Sequence, residues 1–104
     1  MIQMNNSALL KANITDGNVC LKFSAEWCNP CRILGEMIEG LESDYPNVKF
    51  IEVDVDEVDD ANILTEYKIK NIPALFFMKD GEIVKKEVGS MSKDYLNETL
   101  KEIF

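Results

Sequence analysis

Apolar and polar positions along this chain follow two periods, and the switches between them mark out its elements. The run Val19–Ala25 alternates poorly, the pattern of a strand covered on both faces; Val48–Val53 is a strand rich in β-branched residues, and Ala74–Met78 is a continuous apolar one. Between and after them, apolar residues recur at helical spacing. Ile33, Leu34, Met37, Ile38 and Leu41 follow the first run, and Ile63, Leu64 and Tyr67 follow the second. Tyr95, Leu96, Leu100, Ile103 and Phe104 form a closing stripe. Ile2–Met4 reads as a short edge strand. Ser7–Ala12 reads as a short helix with Asn5, Asn6 or Ser7 as its N-cap.

Punctuation residues fix the boundaries. Asp16-Gly17-Asn18 is turn chemistry. A helix from Pro30 is expected to run to about Asp44 and to stop near Tyr45-Pro46, because proline disfavours helical backbone in the residue before it. Gly35 and Gly40 each weaken that helix by roughly 1 kcal/mol relative to alanine, and either allows a bend or a close packing contact. Asp59 and Asp60 suit the start of a helix over Ala61–Tyr67. Lys79-Asp80-Gly81 turns the third run back into Glu82–Val88 as a hairpin, and Ser92 caps the last helix. The order is β-α-β-α-β-α-β-β-α. Strands separated by helices can be parallel, whereas the hairpin is antiparallel. The expected class is α/β: a single mixed central sheet with helices on both faces, one domain over residues 1–104.

Composition narrows the function classes. The 104 residues suffice for one core, and a net charge of −8 with no basic stripe argues against a nucleic-acid role. No segment approaches the roughly 20 apolar residues of a membrane span. Met1–Ile14 has no apolar h-region, so no signal peptide is expected. Three cysteines are too few for a secreted disulfide framework, and a reducing cytoplasm is the expected compartment.

The chemistry concentrates in Trp27-Cys28-Asn29-Pro30-Cys31, where a strand gives way to a helix. Pro30 fits the first turn, since its missing N–H has no intrahelical partner to lose. Free N–H groups and the positive end of the helix dipole then face Cys28 and favour thiolate over thiol. Two intervening residues bring Cys31 within disulfide reach, so an exposed Cys28 thiolate beside a second thiol forms a dithiol–disulfide switch. A zinc half-site is the competing reading. It fails on ligands, because the chain has no histidine and one other cysteine, Cys20. Cys20, inside a strand, reads as a small core residue. The run Asp54, Asp56, Glu57, Asp59 and Asp60 lacks the glycine of a calcium loop and has Val58 at a ligand position, so it reads as a strand end with helix-capping carboxylates.

These residues resemble the thioredoxin family over nearly the whole chain. The resemblance is carried by Phe23–Cys31, Val53-Asp54-Val55-Asp56, Ile72-Pro73, Lys79-Asp80-Gly81 and Val88-Gly89. It implies that Cys28 attacks a substrate disulfide and Cys31 resolves the mixed disulfide, with no bound cofactor. It implies a cis peptide at Ile72–Pro73 facing the dithiol, and a substrate platform of Trp27, Ile72, Pro73 and Gly89 beside Asn29 and Pro30. It also implies disulfide-bearing protein substrates, a thioredoxin-reductase-like flavin enzyme as electron donor, and a monomer.

Three departures from the family pattern involve four positions. Asn29 replaces the usual glycine between the cysteines, which bears on redox poise. Glu36 stands where the long helix usually has a proline. Lys22 occupies the place of a buried aspartate, and Glu52 the place of a lysine near it, so the pair is inverted in sign. Lys22 and Glu52 are therefore expected to form a partly buried pair behind Cys31, with Glu52 able to take its proton directly or through water. The competing reading is an ordinary solvent-facing salt bridge. For the protein as a whole, the alternative to a disulfide reductase is a scaffold or binding module for a partner enzyme on the same fold.

Overall fold

The computed structural model describes all 104 residues, Met1–Phe104. The expected order of elements is observed: β1 (Ile2–Gln3), α1 (Ser7–Asn13), β2 (Asn18–Ser24), α2 (Asn29–Leu41), β3 (Val48–Asp54), α3 (Asn62–Glu66), β4 (Ala74–Lys79), β5 (Glu82–Val88) and α4 (Lys93–Ile103). The five strands form one sheet in the order β1-β3-β2-β4-β5. β3 pairs in parallel with β1 and β2, while β4 is antiparallel to β2 and to β5. No helix is long and apolar enough to cross a membrane.

β2 lies at the centre of the sheet, and its successive side chains alternate between two cores. Val19, Leu21 and Phe23 point to the layer that holds Leu10 of α1 and Ile63 of α3. Cys20 points to the opposite layer, which holds Leu34, Ile38 and Leu41 of α2 and Leu96 and Leu100 of α4. Covering both faces is what removes alternation from the sequence of β2. Each such Leu, Ile or Phe, once buried, contributes about 1.5–3 kcal/mol.

Local chemistry sets the ends. Asn6 is the N-cap of α1, its side chain accepting from the Leu9 N–H, and Ser92 caps α4 through the Tyr95 N–H. In the β4–β5 hairpin Asp80 and Gly81 have φ of 49° and 85°. Two consecutive positive values match the right-handed twist of the paired strands.

Four details differ from the sequence reading. The α-helical part of α2 ends at Leu41, and Glu42–Asp44 continues as a 3₁₀ turn before Tyr45-Pro46. Helix α3 is short, and Asp59 does not start it. The Asp59 carboxylate instead accepts from both the N–H and the hydroxyl of Ser7, at 2.9 and 2.7 Å, tying the loop to the start of α1. Asp60 does serve α3, accepting from the Asn62 N–H. Ile33 and Tyr95 lie outside the buried stripes of α2 and α4, at 43% and 44% exposure. Tyr95 is held by its hydroxyl donating to Glu87 rather than by burial.

Candidate active site

The dithiol stands where β2 leads into α2. Cys28 is itself the N-cap of α2, with extended backbone, and its Sγ accepts from the Cys31 N–H at 3.2 Å. A sulfur in this position takes up one of the four N–H groups that open every helix without an intrahelical partner. Asn29 and Pro30 follow in the first turn, and Cys31 completes it. Cys28 and Cys31 are joined as a disulfide, with Cα atoms 5.2 Å apart. Two sulfurs one turn apart at a helix N-terminus can exchange with an external disulfide and re-form their own bond.

The site is less open than the expectation of an exposed thiolate. Cys28 retains 6% of its surface and Cys31 1%. Ala25, Val55 and Ile72 pack around the pair. The little surface left belongs mainly to Cys28, so an incoming sulfur reaches that atom first.

The surrounding surface is built from three chain segments. Trp27 is 72% exposed, and its indole N–H donates to Asp56 Oδ2 at 2.7 Å, which fixes the ring on the rim. The Ile72–Pro73 peptide is cis. Gly89, with φ +93°, donates its N–H to the Pro73 carbonyl at 2.8 Å. Pro73 is buried, Ile72 and Gly89 are half-buried, and Asn29 and Pro30 are exposed. Asn29 accepts from the Arg32 guanidinium, which also pairs with Glu36 at 3.3 Å.

Behind the dithiol, Lys22 and Glu52 sit side by side on the parallel strands β2 and β3. Lys22 is 1% exposed. Its ammonium donates to Glu52 Oε2 at 2.7 Å and to the Cys31 carbonyl oxygen at 2.6 Å. Glu52 is half-buried and opens onto a cleft of about 370 Å³ whose walls include Ser24, Cys31, Arg32 and Asp54. The pair is therefore partly buried and lies against Cys31, not out in solvent.

Cys20 takes no part. It is buried and unpaired, and burial, reinforced by Glu42 and opposed by Lys22, pushes its thiol up to about 12. A thiol held neutral in a packed core is inert.

Three contributors escaped the sequence reading. Asp56 serves Trp27 rather than a helix N-terminus. Arg32 serves Asn29, for which the three-residue spacing along a helix was the available signal. Gly35 faces Lys22: a Cβ at position 35 would lie 3.0 Å from its Nζ. The close contact that a glycine in α2 allows is thus with a buried ammonium, a partner that spacing along the chain does not reveal.

Comparison with known proteins places these features in a family. The family model described as Thioredoxin matches residues 2–102. A thioredoxin H-type of Ricinus communis is 38% identical over 95 residues, covering 91% of this chain and 78% of that protein. A thioredoxin of Mycoplasmoides gallisepticum is 37% identical over 97 residues, covering 93% and 95% respectively. The X-ray structure of Fasciola hepatica thioredoxin superposes with a TM-score of 0.87 at 31% identity, covering 100% of both chains.

Proposed function

The chain belongs to the thioredoxin family and is a dithiol–disulfide oxidoreductase, and on that premise we propose that it works as a cytoplasmic reductant of protein disulfides. In this reading residues 1–104 act as one thioredoxin-like domain and as a monomer. Cys28, as thiolate, attacks one sulfur of a substrate disulfide, forming a mixed disulfide and releasing the other substrate sulfur as thiolate. Cys31 gives up its proton and attacks Cys28 Sγ. The mixed disulfide breaks, the second substrate thiolate leaves, and two electrons have passed to the substrate. A reductase of the flavin-dependent kind returns two electrons to the Cys28–Cys31 disulfide.

The observation that carries the reading is the N-cap position of Cys28, with its sulfur accepting a helix N–H and bonded to Cys31. Hydrogen bonding and the helix dipole favour the anionic form that attack requires. Trp27, Ile72, Pro73 and Gly89, with Asn29 and Pro30, form the docking surface. The main chain before Pro73 is suited to pair with an extended substrate segment, as in strand addition. Glu52 is the proton acceptor for Cys31 through water in the adjoining cleft, and Lys22 holds it there.

Insulin disulfide reduction tests the cysteine roles. Cys28→Ser abolishes it, and Cys31→Ser accumulates a stable mixed disulfide with the substrate. Full turnover by Cys28→Ser overturns the assignment. Glu52→Gln slows the reaction and alters its pH profile; an unchanged rate and profile removes Glu52 from proton transfer.

A further inference from the structure

Exchange between two sulfurs needs no cation behind them, yet the ammonium of Lys22 is buried there with two partners. One is the main chain of Cys31 itself. The other is Glu52, whose side chain has no hydrogen bond to either cysteine. Space for the ammonium exists because residue 35 carries no side chain, a Cβ there falling 3.0 Å from Nζ. We propose that Lys22 is a positioning residue that sets the redox potential: its ammonium, docked on the Cys31 carbonyl through the gap left by Gly35, stabilises the dithiol over the disulfide.

The reason is a change of charge at the sulfurs. In equilibrium with glutathione, two glutathione thiols are oxidised to glutathione disulfide, and their two electrons break the Cys28–Cys31 bond. The reduced pair then carries one thiolate and one thiol, and the remaining proton goes to solvent. The disulfide is neutral, so a nearby cation favours the reduced side only. Coulomb attraction falls with distance and is strongest where water is excluded. The ammonium is the charge hydrogen-bonded to Cys31, and Glu52, which makes no such bond, is taken as the weaker opposing influence. Glu26 and Arg32 line the same cleft but face water, which screens them, and the half-buried Asp54 accepts from the Asp56 N–H. Stabilising the dithiol makes the couple more oxidising. With a neutral residue at position 22 it becomes a stronger reductant.

The inference rests on Cys28–Cys31 being the working couple, and the test reads that couple directly against a glutathione series, with thiols counted by alkylation. Lys22→Met is expected to shift the equilibrium about tenfold toward the disulfide, which is about 30 mV more negative for two electrons. Gly35→Ala keeps both charges but displaces the ammonium, and a shift of about threefold in the same direction is expected. Glu52→Gln leaves the cation unopposed and shifts the equilibrium toward the dithiol, an effect that loosened packing does not produce. A Lys22→Met equilibrium within twofold of the parent, or moved toward the dithiol, overturns the proposal. Where Lys22→Met alone does not fold, the double variant Lys22→Met/Glu52→Gln serves, with the same direction expected and the same null result counting against it. Unchanged potentials alongside loss of insulin reduction in Cys28→Ser sink this inference alone. Shifted potentials alongside a fully active Cys28→Ser sink the proposed function alone.

Discussion

The two sides of the dithiol are made by different means. On the outer side, Trp27, the cis Ile72–Pro73 peptide and Gly89 form a surface from unusual backbone and an exposed ring, joined by the Gly89 N–H to Pro73 carbonyl bond and the Trp27–Asp56 bond. On the inner side, Lys22 and Glu52 lie on regular paired strands, and what is unusual is their charge within a core. Trp27 on the outer side is exposed, so its substitution changes docking more than folding. The inner side has displaced water from an ammonium, so its substitutions change stability and potential together. A reactive centre placed between the two takes its partner from one side and its electrostatics from the other.

Removing one member of the inner pair separates the sides most sharply. Lys22→Ala leaves Glu52 and the Cys31 carbonyl without their cation. Breaking a buried pair costs about 3–5 kcal/mol; Glu52 keeps 21% of its side-chain surface, which places the loss near 3 kcal/mol and lowers Tm by about 12 °C or more in thermal unfolding. Lys22→Met/Glu52→Gln, which leaves no orphaned charge, is expected within about 1 kcal/mol of the parent. Equal losses in the single and double variants mean that packing, not charge pairing, is what the inner side supplies.

On the outer side, Trp27→Ala is expected to raise KM for a protein disulfide about tenfold, equivalent to about 1.4 kcal/mol of binding. Stability stays within about 0.5 kcal/mol, as for an exposed residue. A drop in Tm of several degrees with KM unchanged makes Trp27 a structural residue instead. Gly89→Ala meets no atom within 4 Å, so its cost comes from φ +93° alone. Urea unfolding should show a loss of about 1 kcal/mol, accompanied by weaker substrate docking where residue 89 meets Pro73.

The smallest effect concerns Cys20, which shares the inner core. Its proton is held in the folded chain up to about 12, whereas the unfolded chain loses it in the ordinary thiol range. Between those limits the folded state binds more protons, so stability falls as pH rises. Cys20→Ala should flatten the alkaline limb of a stability-against-pH curve above pH ~9. An alkaline limb unchanged by that substitution means Cys20 is not held neutral by burial.

Much of the fold was legible because its signals are local. Poor alternation in Val19–Ala25, Pro30 in a first turn, Asp80-Gly81 between two strands and Ser92 before an amphipathic helix each act over a few residues, and each element formed where it was read, with the α-helix after Pro30 stopping at Leu41 rather than near Asp44. Errors fell where a residue found a distant partner. Asp59 turned to Ser7, 52 positions away, and Asp56 to Trp27, 29 positions away. A carboxylate near a helix start is locally suited to cap it, but a better-placed donor from elsewhere wins once the chain closes. Ile33 and Tyr95 kept helical spacing yet missed the core, since the width of a buried stripe depends on what packs against it.

The sequence by itself determined the order of elements and the cysteine pair at a helix N-terminus, because hydrophobic period, turn chemistry and covalent spacing are properties of neighbouring residues. Tertiary structure alone decided that Cys28 retains only a sliver of surface, that Asp56 holds Trp27, and that a glycine in α2 makes room for an ammonium bound to Cys31. These depend on which strands lie adjacent and which helix crosses them, and long-range packing sets that geometry. The same lysine is a solvated charge in an open chain; here two acceptors hold its ammonium in the core, beside a glycine that leaves room for it.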